Sequence, residues 1–193
     1  AEDLGSAEER VSTASLEEIS EMEFSNLNVI CLCLPEPLER PPFGLTIDEI
    51  SHSRGLITKD EIRATTLHRL RLPQEGVFWD IGGGSGSISV EASAISPGLT
   101  IYTVEHREEE IENIKDNIRK FKLFNIIPVA GRAATRIKDL PSPDAVFVGG
   151  SDGEMEAIIK EASTRLPPQG RLVVNGVTKK TIESTPTIMQ EYG

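Results

Sequence analysis

The densest chemistry-bearing stretch of the chain is Asp80-Ile81-Gly82-Gly83-Gly84-Ser85-Gly86. Glycines without a Cβ let backbone amides come close to a ligand, and a helix opening directly after such a loop adds the amides of its first turn. The chemistry implied is anchoring of a nucleotide-type cofactor. A dinucleotide fingerprint needs G-x-G-x-x-G, but counted from Gly82 the sixth residue is Ser87, and counted from Gly84 it is Ser89. The pyrophosphate reading therefore lacks a glycine. Glu105, 25 residues beyond Asp80, ends the next apolar run, where a carboxylate can accept both hydroxyl bonds of a ribose.

Two further small-residue stretches fall at later strand ends, Gly131-Arg132-Ala133 and Gly149-Gly150-Ser151. Either one taken singly is ordinary turn chemistry. Together with the first loop and Glu105 they place four successive strand ends around one crevice, where open α/β sheets bind ligands. The D-x-G-x-G-x-G arrangement resembles the first motif of class I methyltransferases, which implies S-adenosylmethionine as cofactor. On that resemblance Asp80 lies by its methionine part, Gly82, Gly84, Ser85 and Gly86 are cofactor positions in the same loop, and Glu105 lies by its ribose. Gly131 and Ala133 are then expected as cofactor positions, with His106 bordering the adenine, and Gly149 and Gly150 as further cofactor positions along the same edge, where the adenine and the methyl acceptor would lie. Thr58 is added as a cofactor position, while Arg132 is equally compatible with adenine or solvent and is set aside.

Those residues need elements to hold them. Thr58-Lys59-Asp60-Glu61 has the spacing of a capping box, with Ile62, Leu67 and Leu70 following on a helix. Val77 to Asp80 reads as a strand, followed by a helix near 87–95 and a strand Leu99 to Glu105, completing a βαβ unit. Ile111, Ile114, Ile118 and Phe121 mark a helix over 107–123, and Ile126 to Ala130 a third strand. Strands at Asp144–Val148 and Arg171–Asn175 enclose a helix from about Glu154 to Leu166, and a last helix spans Lys179 to Tyr192. The expected fold is α/β, a doubly wound Rossmann-like class I methyltransferase sheet without the usual C-terminal strand hairpin.

Upstream, an acidic stretch over Glu17–Glu23 leads to a β-rich run, Asn28 to Leu34. Pro35, Pro37, Pro41 and Pro42 break any helix or central strand, so 35–42 is expected to be a linker. The domains read as 1–34, the linker, and 43–193. Cys31 and Cys33, two apart, are poorly placed for a disulfide and are expected to pack in the strand. His52, His68 and His106 lack metal-ligand spacing, and no metal site is expected.

The string Arg54-Gly-Leu-Ile-Thr58-Lys59-Asp-Glu61-Ile-Arg63-Ala64, preceded by Phe43-Gly-Leu-Thr-Ile-Asp-Glu49, is similar to the decarboxylating precorrin methyltransferase family of cobalamin biosynthesis. Gly131-Arg-Ala133 and Phe147-Val-Gly-Gly-Ser151 extend the resemblance from about Phe43 to Val177. It implies methylation of carbon 15 of a precorrin or cobalt-precorrin and loss of carbon dioxide from the ring-C acetate, in a tetramer. Residues 2–29 resemble the closing segment of the carbon-5 tetrapyrrole methylase found fused to that family. Such a substrate carries peripheral carboxylates, so Arg54 and Lys59 are candidates to bind them; the other reading is a solvated surface pair. The sequence nominates no catalytic residue.

Net charge is −11 over 193 residues, yet residues 1–42 carry ten acids and two bases, leaving 21 acids against 18 bases beyond them. A body without a Lys/Arg stripe is a poor nucleic-acid binder, because neutralising phosphates takes clustered cations. No apolar run is long enough for a membrane span, and a cytoplasmic protein is expected. Other readings stay open: another small-molecule or RNA methyltransferase, a nicotinamide-dependent oxidoreductase, or a non-catalytic cofactor-binding module.

Overall fold

The computed structural model describes every residue except Leu4, 33–42, Leu56 and Gly193. The chain forms two compact units, Ala1–Leu38 and Glu39–Gly193.

The first unit is held by short polar contacts. Its helix α1, Leu16–Ser20, starts at a capping box in which Ser15 and Glu18 satisfy each other's backbone amides. Glu2 bridges antiparallel to both Arg10 and Asn28, and its carboxylate accepts bonds from the Arg10 guanidinium and, at 2.7 Å, from the Ser25 amide. The strand expected over 28–34 is not formed across its described part: Asn28 makes one isolated bridge and residues 29–32 have no ladder. Val29, Ile30 and Leu32 are exposed, so nothing buries a face and the β-propensity of the run has no sheet to join. Cys31 is correspondingly exposed rather than packed in a strand. Cys33, Leu34 and the expected linker lie outside the described residues.

The second unit is built on five parallel strands: β1 Glu75–Ile81, β2 Gly98–Glu105, β3 Ile126–Ala130, β4 Ala145–Val148 and β5 Arg171–Val174, in the order β3-β2-β1-β4-β5. The order reverses beside β1, so a crevice opens at the carboxyl ends of β1 and β4. Helices α2 Asp60–Leu70, α3 Ser87–Ile95 and α4 Glu108–Lys120 supply one side; α5 Ala133–Arg136, α6 Met155–Arg165 and α7 Lys179–Tyr192 complete the chain.

Alternation along β1 divides the core. Phe78 packs with Leu67, Leu70, Ile88 and Ile114 on one face, while Trp79 and Ile81 pack with Ile158 and Ile159 on the other. Successive strand side chains point to opposite faces, and each fully buried large apolar side chain contributes roughly 1.5–3 kcal/mol. Expected and observed boundaries in this unit agree to within a few residues at every strand. No helix among the described residues is long and apolar enough to cross a membrane.

The capping box expected at Thr58 does not form. Lys59 occupies the N-cap of α2 with no side-chain cap bond. The helix starts one residue later than that spacing requires, and its start is held instead by Arg63, one turn on and fully buried: its guanidinium donates to the Thr58 carbonyl at 2.8 Å, to Glu91 at 2.9 Å and to Asp60 at 2.9 Å, and also to the Leu45 carbonyl. This network draws the helix start against α3, and Arg63 rather than Thr58 sets its geometry.

Candidate functional site

A cleft of about 840 Å³ lies at the carboxyl ends of the strands. That is within the range of sites that hold small molecules and cofactors. Its floor is the glycine loop, Gly82 to Ser85, and its rim comes from Glu105–Arg107, Gly131–Ala133, Gly149–Asp152 and Asn175–Val177.

The loop is fixed from below. The amides of Gly82 and Gly83 both donate to the Val104 carbonyl, at 2.9 and 3.1 Å, closing the end of β1 against β2. Gly82 has φ +66°, and a Cβ there would stand 2.3 Å from the Gly150 carbonyl oxygen, so only glycine lets the ends of β1 and β4 meet. Asn117 of α4, wholly buried, donates to the carbonyls of Ser51 and Ser85 at 2.9 Å each and accepts from the Ser51 amide at 2.8 Å. It thereby ties the loop to the segment leading into α2.

Asp80 is expected to touch the cofactor, but its carboxylate is fully buried and does not line the cleft. One oxygen accepts from the Ser89 hydroxyl at 2.5 Å, and Ser89 in turn lies 2.6 Å from the Thr103 hydroxyl. The other, Oδ1, has no partner among the described residues. Burial raises the Asp80 pKa to about 6; the Ser89 bonds oppose the rise and the nearby Glu105 charge adds to it. Asp80 is therefore tied to α3 through Ser89 rather than open to the cleft. Gly86 is likewise outside the lining: it caps α3 with φ +76° and faces Ile114.

Glu105 ends β2 and lines the cleft. Its Oε2 accepts from the Gly84 amide at 3.1 Å and its Oε1 from the amides of His106 and Arg107 at 2.8 and 2.9 Å. Burial disfavours its charge, but the Arg107 guanidinium and these amide bonds outweigh burial and hold its pKa below the usual value. The result is a fixed anionic acceptor at the end of β2. Ser85, 1 % exposed, is also among the lining residues, and its buried hydroxyl has no partner among the described residues.

The remaining expected positions fall around the same cleft: Thr58, Lys59, His106, Gly131, Ala133, Gly149 and Gly150 all line it. Arg54 does not. It adopts φ +51° and is ion-paired with Glu109, a surface contact. Arg132 spans the far rim, donating to Glu154 at 2.9 Å and to Asp152 at 3.3 Å.

Sequence reasoning misses Arg107, Asn117, Asp152, Glu154 and Asn175. Arg107 has a local signal, a base two residues from Glu105. The other four act across large sequence separations or from loops, and carry no motif.

The comparisons with known proteins bear on the fold and the family. A family model described as a precorrin methyltransferase domain matches residues 49–193. A precorrin-6Y C(5,15)-methyltransferase [decarboxylating] from Sinorhizobium sp is 40% identical over 134 residues, covering 68% of this chain and 32% of that protein, so the chain spans about a third of its length. A probable cobalt-precorrin-6B C(15)-methyltransferase (decarboxylating) from Pyrobaculum calidifontis is 37% identical over 153 residues, 78% of each chain. Among solved structures, precorrin-6Y C5,15-methyltransferase from Geobacter metallireducens superposes with TM-score 0.77 at 40% identity, covering 80% of this chain and 82% of that one. A methyltransferase-type sheet, a cleft floored by the glycine loop and a family match over most of its length together show that the chain belongs to the precorrin methyltransferase domain family.

Proposed function

We propose that this chain methylates carbon 15 of a precorrin or cobalt-precorrin at the expense of S-adenosylmethionine, with loss of carbon dioxide from the ring-C acetate. The observation that carries the reading is the Glu105 carboxylate, fixed by three backbone amides at the edge of a glycine-floored cleft, in a member of this family.

The residues present fit the cofactor. The unpartnered Ser85 hydroxyl and the glycine-lined floor would hold its methionine part, and Glu105 its ribose hydroxyls. Gly131 and Ala133, which line the same cleft, would lie against its adenine, bordered by His106. When bound, S-adenosylmethionine supplies a methyl already activated by its sulfonium, so the protein needs no strong base or metal to create an electrophile. What the chain's residues contribute is orientation and exclusion of water. Gly149 and Gly150 leave the acceptor side of the cleft open. Lys59 lines that cleft at the start of α2 and is our candidate for a peripheral carboxylate; Arg54, held by Glu109, is the weaker one. We further read residues 1–34 as the closing segment of a carbon-5 methylating domain and the protein as a tetramer, both on resemblance, and as cytoplasmic.

Calorimetric titration with S-adenosylhomocysteine beside NAD tests the cofactor, and transfer of labelled methyl to precorrin-6B with release of carbon dioxide tests the reaction. Micromolar S-adenosylhomocysteine binding followed by turnover is the expected result. Binding of NAD alone overturns the reading. The Lys59→Ala variant is expected to raise KM for the tetrapyrrole while leaving S-adenosylhomocysteine affinity intact.

A further inference from the structure

Asn175 follows β5 directly, and its main chain is pinned by a 3.0 Å bond from its amide to the Val148 carbonyl. Its side chain lines the cleft and meets Thr66 of α2, whose hydroxyl lies 3.2 Å from Asn175 Oδ1. Thr66 is 3 % exposed, so its hydroxyl has no bulk water to donate to. Among the described residues Asn175 Oδ1 is its only acceptor. A buried hydroxyl proton must be placed on an acceptor, which orients the carboxamide with Oδ1 toward α2 and Nδ2 away from it. That amino group has two protons to give and no partner among the described residues.

The sheet order decides what it would meet. Glu105 and the glycine loop belong to β2 and β1, whereas β5 lies two strands beyond β1 on the opposite side. At about 4.8 Å per strand, Asn175 stands roughly 10 Å from the end of β1 and roughly 14 Å from the end of β2. The half of the cleft that holds a nucleotide is therefore not the half that Asn175 faces.

We propose that Asn175 is a substrate-recognition residue, its carboxamide turned by the buried Thr66 hydroxyl so that Nδ2 donates to a peripheral carboxylate of the tetrapyrrole. Thr66 is a positioning residue acting through Asn175. The inference rests on the functional reading above.

The test measures S-adenosylhomocysteine affinity by calorimetry and KM and kcat for precorrin-6B in the wild type and four variants. Asn175→Ala and Asn175→Asp are expected to raise KM about tenfold or more, the second because it sets a carboxylate against a carboxylate, with cofactor-product affinity unchanged. Thr66→Val, which keeps shape and loses the donor, is expected to raise KM several-fold, and Thr66→Ser to restore it. An unchanged KM in Asn175→Ala overturns the assignment, and so does a loss of S-adenosylhomocysteine affinity, which would put the residue on the cofactor side. A rise in KM that Thr66→Ser shares with Thr66→Val overturns the positioning role. Failure of the wild type itself to turn over precorrin-6B while binding S-adenosylhomocysteine removes the functional reading, and this one with it.

Discussion

Glu105 Oε2 accepts the Gly84 amide at 3.1 Å, so the acid that ends β2 also holds the loop that ends β1. One carboxylate thus sets both the shape of the glycine floor and the charge at its edge. Truncating it removes a ligand acceptor and leaves three amides unpaired at once. Glu105→Ala is expected to weaken S-adenosylhomocysteine binding by roughly 10- to 150-fold, the equivalent of about 1.5–3 kcal/mol for a lost charged hydrogen-bond set. Calorimetry reads this directly, and an affinity within a factor of about two of wild type would refute it.

Gly82 and Gly150 offer a contrast between two glycines of one cleft. A Cβ at Gly82 falls 2.3 Å from the Gly150 carbonyl oxygen at a backbone angle that side chains rarely adopt, whereas a Cβ at Gly150 meets nothing within 4 Å. Gly82→Ala is expected to cost about 1–3 kcal/mol of folding stability and to abolish cofactor binding, since the loop must move. Gly150→Ala is expected to leave urea-unfolding stability within about 0.5 kcal/mol of wild type. Equal losses for the two would contradict the close approach of β1 and β4.

Asp80 makes stability depend on pH. Its pKa is raised to about 6 in the folded chain from an ordinary value of 3.8, with burial the main cause. The folded state therefore holds its proton more tightly than the unfolded state does. This contribution is fully present below about pH 4 and is lost as pH rises through about 6, a change of about 3 kcal/mol by linkage. Asp80→Asn abolishes the ionisation, so urea unfolding from pH 4 to 7 should show the variant gaining on the wild type by about that amount. Parallel pH profiles for the two proteins would remove Asp80 as the source.

Arg63 and Glu91, buried at 1 % and 2 % exposure, form an ion pair at 2.9 Å between α2 and α3. Removing one partner strands the other charge in the core. Arg63→Met is expected to destabilise the fold by about 3–5 kcal/mol and to disturb the cleft through the Thr58 carbonyl it holds. The double variant Arg63→Met/Glu91→Met should recover much of that loss in denaturant titration. Additive losses would show that the pair is not coupled.

Much of the fold was legible because periodicity and turn chemistry are local. The alternation of β1 around Phe78 and Trp79, the 3–4 spacing of Ile111, Ile114 and Ile118, and the glycine loop each declare their element within a few residues. The β-rich run at residues 28–32 reads as a strand for the same local reason and is not one, because a strand needs a neighbouring edge and a face to bury. The Thr58 capping box fails similarly: the spacing is right, but the helix begins at Asp60 with Lys59 as its N-cap, and the buried Arg63 holds that start from one turn on.

Sequence alone determined the order of elements, the cleft edge at Gly82–Ser85 and Glu105 that we propose for the cofactor, and the resemblance that pointed to the substrate class. Only the tertiary structure decided which of those residues face the cleft. Asp80 turns to Ser89 of α3, Arg54 turns to Glu109, and Asn117, Asn175 and Thr66 enter from elements 32 to 109 residues away from their partners. A motif records spacing along a strand or helix, whereas the direction of a side chain and its hydrogen-bond partner depend on what packs across the sheet. That is set by long-range burial, which no local pattern carries.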